Sequence, residues 1–175
     1  MMLVSIGRRE ENQDMVELFL DCHAKIRRFV GGAKALAADP NEPRAEDVRA
    51  VRRYFAEALP LHAADEDESL VPRLRGRDPE VDRALVQMGQ EHVEHAPWVT
   101  ELVTRLLDVE AEPPRIALHR SRLAELASAL EAHFEQHLGL EERVIFPRAR
   151  QLLSATEQHE VLAELRGRRG ASTFR

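Results

Sequence analysis

Six residues in two matched sets carry the chemical signal of this 175-residue chain. His62-Ala63-Ala64-Asp65-Glu66 and His137-Leu138-Gly139-Leu140-Glu141 each set a carboxylate four residues after an imidazole, and each run continues to a proline, Pro72 or Pro147. His62 to His137, Glu66 to Glu141 and Pro72 to Pro147 all share one offset, 75. The stretches around His23 and His92 are also alike, at an offset of 69, and a longer loop in the second half absorbs the difference. The chain reads as a duplicated helical hairpin, each copy with one His on its first helix and a His-x-x-x-Glu on its second. On a helix, residues four apart differ by about 40° and rise roughly 6 Å, so His and Glu project from one face. That face also bears the apolar stripe, so both groups point into a core. A buried, ionised Glu needs a cation or a tight partner.

Two such halves packed about a pseudo-twofold axis bring together His23, His62, His92, His137, Glu66 and Glu141. Four imidazoles and two carboxylates can hold two transition-metal ions, each on two histidines, with Glu66 and Glu141 able to bridge and open positions left for solvent or a small ligand. Imidazole with carboxylate suits iron, zinc, manganese or copper, and the lack of clustered thiolates excludes an iron–sulfur site.

The elements that must position these groups are long helices. Strand-like alternation is scarce, and proline and glycine divide the chain into four segments. The first, from about Glu10 to Ala38, repeats Met15, Phe19, His23, Ile26 and Val30 at threes and fours and stops at Asp39-Pro40. The second, from about Ala45 to Val71, puts Val48, Val51, Phe55, Leu59, His62, Glu66 and Leu70 on one stripe and is expected to end at Pro72. Asp78-Pro79 reads as an N-cap with proline at the first helical position of the third segment, which runs to about Val109. Pro97 should kink or interrupt it. Glu112-Pro113-Pro114 opens the fourth, through Leu118, Leu126, Leu130, His133, His137 and Glu141 to Pro147. Segments of about 27 to 33 residues make helices of roughly 40–50 Å. Short connections make neighbours antiparallel, so the predicted fold is all-α: an up-down-up-down four-helix bundle in one domain over residues 1–175, with core 10–150 and hairpins 10–75 and 79–153. Ser154-Ala155-Thr156-Glu157 is a capping box for a short fifth helix ending near Gly167, after which the tail is expected to fray.

Composition narrows the classes. Net charge is −6, with no basic excess for nucleic acid or anionic lipid. No apolar run reaches the length of a membrane span, and the start lacks a secretory pattern. The single cysteine, Cys22, excludes an internal disulfide and fits a reducing, cytoplasmic setting.

The doubled pattern of His, then His-x-x-x-Glu ahead of Val-Pro or Phe-Pro, resembles the hemerythrin-like (HHE cation-binding) family over roughly His23 to Pro147. The resemblance implies a non-haem di-iron centre inside the bundle, with His23 and His62 at one metal, His92 and His137 at the other, and Glu66 and Glu141 as bridges. It also implies binding of dioxygen or another small diatomic, or iron and redox sensing. Two departures favour the symmetric bacterial type over a reversible oxygen carrier. Ala96 stands where the oxygen carriers have a second histidine, and Glu141 follows His137 by four residues instead of five. Two alternatives stay open: an enzyme acting on peroxide, nitric oxide or dioxygen, and a structural bundle holding zinc.

Among the remaining residues, His95 reads as a helix-face histidine near Pro97, with an extra-ligand role as the alternative. His133, four residues before His137, is balanced between a further ligand or supporting hydrogen-bond partner on one side and core packing on the other. His119 and His159 read as surface, Cys22 as a packed thiol, and Asp65-Glu66-Asp67-Glu68 as a solvated run with Glu66 turned inward.

Overall fold

The computed structural model describes residues 14–172, and among them every regular element is helical. α1 is Met15–Ala38, begun by Asp14, whose side chain accepts from the Glu17 N–H while Glu17 caps the Asp14 N–H in return. The expected start at Glu10 lies outside the described residues. α2 spans 45–74, α3 is Pro79–Ala111, α4 spans 116–152 and α5 is Ala155–Ser172. Asp78 caps α3 through the Glu80 and Val81 N–H groups, as its position before Pro79 suggested. The turn into α3 needs Gly76, whose φ of 80° excludes most side chains.

Two helix ends differ from expectation. α2 does not stop at Pro72, nor α4 at Pro147. Each helix passes through a wide π turn, Asp65–Leu70 in α2 and Glu141–Ile145 in α4, closed by five-residue bonds from the Val71 N–H to the Glu66 carbonyl and from the Phe146 N–H to the Glu141 carbonyl. Each proline then stands in the first turn of a new α-helical stretch, where its missing N–H costs no bond. Pro60 follows a third π turn, Tyr54–Ala58, in the same way. Pro97 does not interrupt α3, which is helical from Pro79 to Ala111. The proline lies on the exposed face, where water can serve the carbonyl that loses its donor.

The four long helices form a bundle. Phe29 stacks on Tyr54 between α1 and α2, Arg49 and Arg52 pair with Glu110 between α2 and α3, Arg122 with Glu101 between α3 and α4, and Arg27 with Glu135 between α4 and α1. Two apolar clusters fill it. One gathers Ile26, Leu59, Leu102 and Leu138, the other Phe19, Leu70, Met88 and Ile145. His23, His62, Glu66, His92 and Glu141 fall between them by sequence position, and His137 stands at the edge of the first cluster, between its Phe134 and Leu138. Leu118 is not part of this core: it is 78% exposed, because Ile116 takes the inward position at the start of α4. α5 adds Val161 and Leu165 to the second cluster, and it continues past Gly167 to Ser172. Arg168 and Arg169 hold it there by pairing with the buried Asp65 carboxylate, so the expected fraying from residue 168 does not occur in the described part of the tail. None of the described helices is long and apolar enough to cross a membrane.

Candidate metal centre

Each long helix brings its donors to one level. His23 comes from α1, His62 and Glu66 from α2, His92 from α3, and His137 and Glu141 from α4. Both carboxylates are fully buried, and the imidazoles are buried or nearly so. All four Nε2 atoms turn toward the carboxylates. His23 Nε2 lies 2.9 Å from Glu141 Oε2 and His137 Nε2 2.9 Å from Glu141 Oε1. His62 Nε2 lies 3.0 Å from Glu66 Oε1, and His92 Nε2 3.1 Å from Glu66 Oε2. Each glutamate therefore touches one histidine from each half of the repeat.

The donors fall into two groups compact enough for an ion: His23, His62, Glu66 and Glu141, and Glu66, His92 and His137. Glu66 belongs to both, and Glu141 reaches the second through His137. Several of these atoms are buried without an aligned hydrogen-bond partner: both nitrogens of His62, both oxygens of Glu66, Oε1 of Glu141 and Nδ1 of His92. Short distances without alignment are what converging ligands of one cation look like, and a core does not leave so many polar atoms unmatched otherwise. The donor set fits divalent transition metals.

Protonation in the metal-free pocket points the same way. Burial lowers His62 to about 3, and burial raises Glu66 well above the usual carboxylate range, with the nearby Glu141 adding to it. Burial also works to raise Glu141, but the His137 and His23 contacts overcome it and hold that carboxyl well below its ordinary value. Two buried carboxylates side by side without a cation cannot both keep their charge cheaply. A divalent ion would remove that conflict.

The sequence profile of the hemerythrin HHE cation binding domain family matches residues 14–149. The chain belongs to the hemerythrin HHE cation-binding family. An uncharacterized protein of Haemophilus influenzae is 24% identical over 159 residues, covering 86% of this chain and 84% of that one. This member of the family is a metal-binding, hemerythrin-like protein whose His and Glu groups can hold a metal.

Behind the Nε2 atoms stands a set of acidic residues that sequence reading left out. His23 Nδ1 lies 2.8 Å from Glu142, which Arg27 also holds at 2.8 Å. His92 Nδ1 faces Asp67 at 3.3 Å, and His137 Nδ1 faces Glu91 at 2.7 Å. Carboxylates in this place fix the ring and raise the basicity of the nitrogen that binds metal. Asp67 and Glu142 stand at the same repeat offset, each next to a candidate ligand, and that spacing was the available signal. The solvated reading of the acidic run fits the exposure of Asp67 but misses its contact with His92. It fails for Asp65, which is fully buried and paired with Arg168 and Arg169.

His95 is buried, not a helix-face residue: its ring packs 5.7 Å from His92 and 5.8 Å from His137, and its Nδ1 lies 3.3 Å from His133 Nε2. It stands outside both compact donor groups. His133 supports His95 and also approaches the Glu91 carbonyl at 3.2 Å. His159 is exposed, whereas His119 is half-buried and paired with Asp108 at 2.7 Å. Cys22 is a packed thiol touched by Arg169.

Proposed function

We propose that this chain is a non-haem di-iron protein that binds or senses dioxygen or a related small molecule in the cytoplasm. His23, His62, His92 and His137 would hold the two ions, with Glu66 and Glu141 shared between them. The observation that carries the reading is the shared carboxylate: Glu66 belongs to both donor groups while its two oxygens lack aligned hydrogen-bond partners. Iron in such a site supplies a redox-active Lewis acid with vacant positions for a small ligand. The protein's own part is to fix the rings through Glu142, Asp67 and Glu91, and to keep bulk water out with the apolar clusters on either side. The up-down-up-down order fits the contacts, since residues paired between neighbouring helices rise in number on one and fall on the other. Elemental analysis and absorption spectra of protein made in iron-replete cells test the proposal. Two irons per chain with oxo-bridged di-iron absorption are expected, and zinc alone, or no more than one tightly bound ion, would overturn it.

One observation favours the enzymatic alternative. His95, with His133 behind it, sits against His92 and His137 without belonging to either donor group. Turnover of peroxide by the iron-loaded protein, lost in His95→Phe with the metal retained, would establish that reading.

A further inference from the structure

Most solvent faces of this bundle are charged, and one is not. α1 turns Glu17, Asp21, Lys25 and Arg28 outward, whereas the outer stripe of α3 carries Val86, Val93 and Leu107, exposed by 63%, 74% and 54%. Their spacing of seven and fourteen residues sets them in line. Thr100 fills the missing place in that series and Thr104 follows it. Both hydroxyls donate back to their own helix, to the Ala96 and Thr100 carbonyls at 2.9 Å, which leaves methyl groups to the outer surface. A charge-free line about 32 Å long is an unpartnered face in a chain where 32% of residues are charged.

We propose that a second copy of this chain covers the face, α3 against α3, about a two-fold axis between Ala96 and Pro97. The stripe is its own complement under that rotation. Turned end for end about this midpoint, Val86 meets Leu107, Val93 meets Thr100, and Gly89 meets Thr104. A contact between identical surfaces requires such self-matching. Small side chains beside the axis allow helices to approach to the usual 8–10 Å. Charge adds only a helix-end term: exposed Arg83 of one copy comes level with the C-terminal turn of the other α3, where the helix dipole is negative and where Glu110 and Asp108 already pair within their own chain. A contact along this line would bury on the order of 1,000 Å² in total, the low end for a specific interface. A groove of about 710 Å³ along this face reaches Asp67 and His92. The second copy would cover the most exposed of the four candidate ligand rings, a consequence that rests on the proposed metal centre, while the dimer itself does not.

Mass in solution tests this directly. The purified full chain at about 100 µM should weigh about 40 kDa, twice the 19.9 kDa of one chain. Leu107→Glu should weaken dimerisation at least thirtyfold and leave the melting temperature of the monomer unchanged. Ala96→Cys, on the axis, should form a disulfide-linked dimer on mild oxidation. Leu107→Cys, with its copies about 32 Å apart in this register, should not. A monomeric wild type, whether the face stays open or takes another partner, overturns the proposal. So does a dimer that survives Leu107→Glu, or one that crosslinks through Leu107→Cys.

Discussion

His62 and His137 hold matching places in the two halves, yet only His137 has its outer nitrogen held. Glu91 does this from one residue before His92, and the matching residue before His23 is Cys22. His62 Nδ1 is consequently buried without a partner. Its ring is fixed by packing instead, edge-on to Phe19 at 6.1 Å and to His23 at 5.2 Å, with Phe19 stacked on Phe146. A second difference lies outside. α5 closes the His62 side through Arg168 and Arg169 on Asp65, whereas the residue matching Asp65 in the other half is Leu140 and no helix lies over it in the same way among the described residues. One donor group is dry, with His62 held by apolar contact and only His23 held by a carboxylate, Glu142. The other is held by carboxylates and opens to the groove at His92. The lesson is that a duplicated ligand set can keep its inner atoms while the means of fixing them diverge.

The change with the largest effect removes what the two groups share. With the two ions proposed, Glu66→Ala should release both together, taking metal content from two per chain to below one, because no other residue belongs to both compact donor groups. If the ion on His23 and His62 stays while the other leaves, Glu141 alone suffices for the dry group, and the halves are less coupled than their geometry indicates. Metal analysis of the variant decides it.

Acidification comes next. Burial lowers His62 and His95 to about 3 and lowers His92 as well. Without metal, these rings stay neutral in the folded chain below about pH 6.5 while the unfolded chain takes up protons. The folded state then binds fewer protons, so stability falls as pH drops, by up to about 1.4 kcal/mol per pH unit for each ring. His137 has the opposite sign. Burial pulls it down, but Glu141 and Glu91 raise it overall, so its contribution is present below about 6.5 and is lost as pH climbs through the raised value. Glu66, which burial raises, shares the sign of His137, and Glu141, held low by His137 and His23, shares that of the lowered rings, so more of these groups lose stability on acidification than gain it. Protons also compete with metal for the same nitrogens, so ions should leave steeply below about pH 6. Melting temperature and metal content, measured on the same samples from pH 8 to 4, should fall together. A flat melting temperature during metal loss would show a bundle that does not depend on its ions.

Why the inner set was legible and the rest was not follows from what repeats mark. His23, His62, Glu66, His92, His137 and Glu141 repeat in type and spacing and lie on apolar stripes, so helix geometry alone converges them. Asp67 and Glu142 repeat equally well but sit on polar surroundings, where an acidic residue has an ordinary reading. Glu91 has no repeat at all, because its counterpart is Cys22. The π turns were hidden for a different reason. Pro72 and Pro147 normally stop a helix, and only the five-residue bonds closing at Val71 and Phe146 let the chain go on. Leu118 and Arg168 were misplaced because local periodicity does not show which of two neighbouring residues reaches the core, or what a tail packs against.

The comparison sharpens at Glu91. Glu91→Ala should weaken the ion on His92 and His137 by about 10–100-fold, the usual cost of losing a carboxylate behind a ligand imidazole. Cys22→Ala, at the matching place, should leave the affinity of the other ion nearly unchanged, since the thiol holds no ring. Competition with a chelator should show two clearly separated release steps in the first variant and the wild-type pattern in the second. Equal losses in both would mean that Cys22 supports His62 after all.

The smallest effect is expected at Gly139, whose counterpart in the first half is Ala64. Where α5 covers the first half, the second covers itself: the Arg143 guanidinium lies over Gly139, and a Cβ built there would come within 2.7 Å of its Nη1. The obstacle is the far end of a flexible side chain, so Arg143 can swing aside at little cost. Glycine inside a helix gives up roughly 0.5–1 kcal/mol relative to alanine. Gly139→Ala should therefore stabilise the bundle by about half a kcal/mol, or a degree or two in melting temperature, with both ions retained. A loss of more than about 1 kcal/mol would mean that Arg143 is held in place and does for the His137 side what Arg168 and Arg169 do for the His62 side. The two halves would then share an arginine cover as well as a ligand set, differing only in which helix supplies it.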